Sequence, residues 1–144
     1  MTTITLPTVK NLKVFGLTKS EFLAAARFFA QKSSSRIKVP FQEIVIILQN
    51  DSESAAVHFA IMNVAGPTDV ITQPFYSMPG EPEGIYGEIY INLDRALTYS
   101  NPKKELFLYL AHGMDHLSGA DDHTEREYQA MRRRELRWIR EFLK

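Results

Sequence analysis

His112-Gly113-Met114-Asp115-His116-Leu117-Ser118-Gly119-Ala120-Asp121-Asp122-His123 spans the end of one helix, a turn and the approach to another. Upstream, Asn101 is a good N-cap and Pro102 suits the first helical position, so a helix is expected from there to about Leu117. Gly119 can end it, because glycine enters the left-handed region without a Cβ penalty. The last helix is expected to start near Asp122 or Thr124 and to run to the C-terminus.

Before this pair, strand and helix patterns alternate. Ile4 to Phe15 is rich in Thr, Val and Leu and reads as one or two short strands. Thr18 or Ser20 can cap a helix through Phe22, Ala25, Phe28 and Phe29, with Lys32 to Ser35 closing it as a loop. Glu43 to Leu48 is a continuous β-branched run, suited to a strand covered on both faces. Asp51 or Ser52 opens a short helix that Gly66-Pro67 breaks. Thr68–Thr72 and Ile85–Ile91 read as strands around a Pro- and Gly-rich loop, and a further helix fits Asp94 to Thr98. The order implies an α+β (mixed α/β) fold: a single domain over residues 1–144, with a small mixed four-stranded sheet packed against about five helices.

Composition narrows the chemistry. The 144 residues contain no cysteine, which removes disulfides, thiolate ligands and cysteine nucleophiles and leaves imidazole and carboxylate to hold a metal. Lys plus Arg and Asp plus Glu are 17 each, so attraction to phosphate must come from local clustering. No basic start followed by an apolar run is visible, and no apolar run approaches the roughly 20 residues that span a bilayer. The expectation is a cytoplasmic protein without a membrane partner.

Three of the four histidines lie in the quoted segment. His112 and His116 stand at i and i+4, so a helix projects both imidazoles from one face, close enough to share an ion. The turn at Gly119 can return a third donor: His123 is the obvious one and Asp122 the alternative. Three protein ligands leave a position for water, the arrangement of a catalytic metal. The pattern is similar to the metzincin motif His-Glu-x-x-His-x-x-Gly-x-x-His, but Gly113 stands where those proteases carry their general base, so a metallopeptidase is the weaker reading.

The same residues resemble the YbeY family of bacterial metal-dependent endoribonucleases, whose signature is His-Gly-x-Leu-His-Leu-x-Gly-x-Asp-His. The match holds at His112, Gly113, His116, Leu117, Gly119 and Asp121; Asp115 replaces a leucine. One extra residue precedes the last histidine, so Asp122 has the spacing of the third ligand and His123 its residue type. Thr68-Asp69-Val70-Ile71-Thr72, followed by Gln73-Pro74, resembles the family's Thr-Asp-Val-Leu-Ser-Phe-Pro strand. Gly87-Glu88-Ile89-Tyr90-Ile91 resembles its Gly-Asp-Ile-x-Ile strand, and Glu105 falls where the family carries a glutamate. The family's arginine six residues before that threonine is Met62 here, and no Arg or Lys occurs between Asp51 and Ile91.

The resemblance implies a single YbeY-like hydrolase domain with one zinc ion per chain. It implies cleavage of single-stranded or ribosomal RNA in 16S rRNA 3′-end maturation and ribosome quality control, with the ribosome as partner and no DNA. Metal-bound water is the reactive group; no protein general base is assigned. A non-catalytic ribosome- or RNA-binding protein with a structural metal is the alternative, favoured by the missing arginine. Glu105 and Glu135 are candidates to orient the histidines, Glu135 because it interrupts the apolar face of the last helix. Arg126, Arg133, Arg137 and Arg140 fall on one side of that helix and are candidates to track an RNA backbone, although the same spacing suits a solvated face.

Overall fold

The computed structural model describes residues 2–8 and 11–144. In chain order it contains β1 (Thr3–Thr5), a 3-10 turn (Leu12–Phe15), α1 (Lys19–Ile37), β2 (Phe41–Gln49) and α2 (Asp51–Met62). β3 (Val70–Phe75), β4 (Ile85–Asn92), α3 (Leu93–Ala96), α4 (Pro102–Leu117) and α5 (Glu125–Phe142) follow. The sheet order is β1-β2-β4-β3. β2 lies parallel to both β1 and β4, whereas β3 runs antiparallel to β4, with Val70 opposite Ile91 and Pro74 opposite Gly87. Among the described residues the fold is therefore a mixed four-stranded sheet with five α-helices. Pro74 is tolerated because β3 is an edge strand, where a missing N–H leaves no partner unsatisfied. Among the described residues, no helix is long and apolar enough to cross a membrane.

Three local expectations change. Among the described residues of the N-terminal stretch only Thr3–Thr5 is a strand; Leu12–Phe15 is a 3-10 turn between left-handed Asn11 and Gly16, burying Leu12 and Phe15 at i and i+3. Val9 and Lys10, in the same stretch, lie outside the described residues. Lys32 to Ser35 is helical rather than loop. Tertiary contacts outweigh the weak helix preference of serine there: Ser33 is fully buried and Lys32 pairs with Glu141 of α5, while Ser34 donates its hydroxyl within the helix to the Gln31 carbonyl. β2 is covered completely on one face, by burial of Ile44, Ile46 and Leu48, while Val45 and Ile47 opposite are only half-buried.

α4 is the central helix. Leu106 through Ala111, Gly113, Met114, Asp115 and Leu117 are all buried, because the helix packs against β3, β4, α1, α3 and α5 at once. Two glycines allow its close approach to the sheet. A Cβ on Gly113 would come within 2.8 Å of the Ile89 side chain, and one on Gly87 within 2.7 Å of Leu117. Phe107 meets Phe29 of α1 and Phe142 of α5 at ring separations of 6.3 and 5.7 Å, joining the three helices. Asn101 caps α4 through the Lys104 N–H, and Thr124 caps α5 in a reciprocal bond with Glu127.

Candidate metal centre

At the end of α4 the Gly119 N–H bonds to the His116 carbonyl at 2.9 Å and the Ala120 N–H to the Asp115 carbonyl at 3.2 Å. Gly119 has φ +100°, a conformation that side-chain-bearing residues rarely adopt. This reversal returns the chain over the last turn of α4. Asp122 thereby meets both histidines: its Oδ2 lies 3.5 Å from His112 Nε2 and 3.4 Å from His116 Nε2. His123 stands apart, its side chain 80% exposed and its Nε2 3.7 Å from Asp121 Oδ1. Neighbouring side chains of the irregular segment diverge, so turning Asp122 inward sends His123 outward. The structure brings together His112, His116 and Asp122 and leaves His123 outside the group.

The donor chemistry fits a divalent cation. His112 Nδ1–H donates to Glu135 Oε2 and His116 Nδ1–H to the Ala120 carbonyl, each at 2.9 Å, which directs both Nε2 lone pairs towards Asp122. Ligands at about 2.0–2.1 Å from a tetrahedral ion stand about 3.4 Å from one another. The two separations to Asp122 match that spacing.

Glu135 is 1% exposed and reaches the centre from α5. Burial pushes its carboxyl above the usual range, as does nearby Asp115, while His112 opposes both. Burial alone pulls His112 down, yet the hydrogen bond and charge of Glu135, with Asp122 and Asp69, outweigh it and leave the imidazole raised. Behind the centre lies Asp115, fully buried. Arg134 grips it with two nitrogens at 2.9 to 3.2 Å, and Arg36 reaches it at 3.4 Å while donating to Ser118 Oγ at 2.8 Å. Its charge is thus satisfied by helices on either side of α4.

The centre opens into a cleft of about 580 Å³ bounded by the end of α2, β3, α4 and α5. Glu105 lines it and is half-buried; burial raises its carboxyl, against the pull of Arg132 and Tyr109. Arg126, Arg133, Arg137 and Arg140 are exposed and do not line it. Arg132, Tyr128 and Asp69 do, although the sequence alone assigns none of the three a role in the site. A signal was present: Tyr128, Arg132 and Glu135 follow one another at i, i+4 and i+7, so the face that carries Glu135 inward carries Arg132 with it.

The family model described as "Endoribonuclease YbeY" matches residues 10–143. The chain belongs to the YbeY family. Endoribonuclease YbeY of Protochlamydia amoebophila is 32% identical over 100 residues, covering 66% of this chain and 67% of that protein. The YbeY of Methylococcus capsulatus is 30% identical over 122 residues, covering 81% and 79%. The solution structure of TM1509 from Thermotoga maritima shares the fold, with a TM-score of 0.61 at 22% identity over 99% of this chain and 89% of that one. Against the YbeY signature, Asp122 stands at the spacing of the last histidine, and it is this residue that faces His112 and His116.

Proposed function

We propose that the chain is a zinc-dependent endoribonuclease specific for single-stranded RNA, with His112, His116 and Asp122 as the metal ligands. Its membership of the YbeY family supports a nuclease, a hydrolase acting on RNA. The observation that carries the metal-dependent mechanism is the convergence of two Nε2 atoms and one carboxylate oxygen within 4.8 Å at the floor of an open cleft. When bound there, the cation supplies Lewis-acid charge to a phosphodiester and makes water more acidic. Glu135 and the Ala120 carbonyl fix the tautomer of the two imidazoles and hold their rings in place. A carboxylate in place of a third imidazole lowers the net charge of the loaded site by one. Residues 1–144 act as one unit in this reading, in the cytoplasm, in 16S rRNA 3′-end maturation and ribosome quality control with the ribosome as partner. In this reading the exposed Arg126, Arg133, Arg137 and Arg140 would track an RNA strand leaving the cleft along α5.

The metallopeptidase reading loses ground on geometry. Gly113, where such a base would stand, faces Ile89 of β4 and not the cleft. The test is cleavage of a single-stranded ribosomal RNA fragment and of its duplex by one zinc-loaded preparation. Cleavage of the single strand is expected, lost in His112→Ala and on chelation. Bound zinc without His112-dependent cleavage would instead establish the binding-protein alternative.

A further inference from the structure

We propose that Arg132 binds the scissile phosphodiester, a role that rests on the RNA-cleaving reading above. The charge balance of the cleft points to it. Asp69, Glu105, Asp122 and Glu135 all line the cleft, and among the described residues Arg132 is its only lysine or arginine. The wall formed by α2 and β3 has no cation to offer, since no Lys or Arg occurs from residue 39 to residue 94. A divalent ion offsets only two of the four carboxylates. Arg132 offsets one of the two carboxylates that the ion leaves uncompensated, and it is the one cationic side chain there for a phosphodiester to meet.

Arg132 is also held ready. Its Nη2 donates to Tyr128 Oη at 2.7 Å, and its guanidinium carbon lies 5.5 Å from the centre of the Tyr128 ring. The tether uses one N–H of five, and the planar fork that remains suits two phosphate oxygens. Arg132 is half-buried, so less water screens its charge than screens the outer arginines of α5. The competing role is neutralisation of Glu105 and Glu135 alone. A residue that contacts phosphate changes the salt dependence of RNA binding; one that only neutralises its own neighbours does not.

The test uses zinc-loaded wild type, Arg132→Gln and Arg132→Lys. Metal content, melting temperature, kcat/KM and the affinity for a 2′-O-methyl RNA single strand are measured across a salt series. Arg132→Gln is expected to keep zinc and fold, to lose about 10²-fold in kcat/KM, and to flatten the slope of log affinity against log salt by about 0.7. Arg132→Lys is expected to retain the slope while recovering part of the rate. An unchanged slope in Arg132→Gln overturns the proposal, whatever happens to the rate. If Arg132→Gln fails to fold, a slope lost in folded Arg132→Lys overturns it and a retained slope supports it. Wild-type protein that binds RNA without cleaving it would sink the nuclease reading, while the slope would still decide the place of Arg132.

Discussion

At the scale of single residues, Asp115 shows how far this chain departs from its family's pattern. A leucine in the family signature becomes a fully buried carboxylate, and such a charge persists only when its partners are in place. Arg134 and Arg36 supply them, from α5 and α1. Removing one partner is worse than never having the pair. Asp115→Ala is expected to cost about 3–5 kcal/mol, read by denaturant unfolding. Asp115→Leu combined with Arg134→Met is expected to recover most of that loss, because the double change restores apolar packing instead of stranding a cation. Equal stability of Asp115→Ala and wild type would show that the network contributes nothing. Asp115 could be read from the sequence as a replacement but not as a buried ion, because its partners lie 79 and 19 residues away.

At the scale of elements, the joint between α4 and α5 is the His112–Glu135 bond, and it makes metal-free stability depend on pH. Because Glu135, Asp122 and Asp69 outweigh burial, the His112 pKa in the folded chain lies above the ordinary 6.5. Protonated His112 therefore stabilises the fold fully below pH 6.5, and that contribution disappears as pH rises through the raised value. Metal-free protein is expected to melt at falling temperature as pH climbs through this window, relative to His112→Asn. Zinc should reverse the trend by replacing the proton at Nε2. A flat difference between the two proteins would contradict the account. The turn that closes α4 has its own test. Gly119→Ala must hold a side-chain-bearing residue at φ +100° and is expected to lose about 1–2 kcal/mol in stability together with zinc affinity, read by melting and zinc titration.

α4 was legible in the sequence because its cap, Pro102, paired histidines and closing glycine are all local signals. The helical path of Lys32 to Ser35 was not, since Ser33 is held by packing against distant elements. The side of the chain on which Asp122 and His123 point was equally hidden. It depends on the backbone of an irregular segment, which neither period nor residue type encodes.

At the scale of the whole molecule, the parts converge on one end of α4. The sheet sets its position through Gly113 and Gly87, α1 and α5 cover its buried face, and the turn after Leu117 folds Asp122 back. Alternation of strand and helix in the sequence sufficed for the mixed sheet, and the histidine spacing for the place of the centre. The charge of the cleft was not readable, because it is assembled from the approach to β3, from α4, from the turn after it and from α5. The most direct measurement of the central claim is calorimetric zinc titration of wild type, Asp122→Ala and His123→Ala under the same conditions. Wild type and His123→Ala should each bind one equivalent with similar affinity, and Asp122→Ala should lose more than the about 10–100-fold that follows removal of an outer partner of a metal site. Zinc retained by Asp122→Ala and lost by His123→Ala would contradict it.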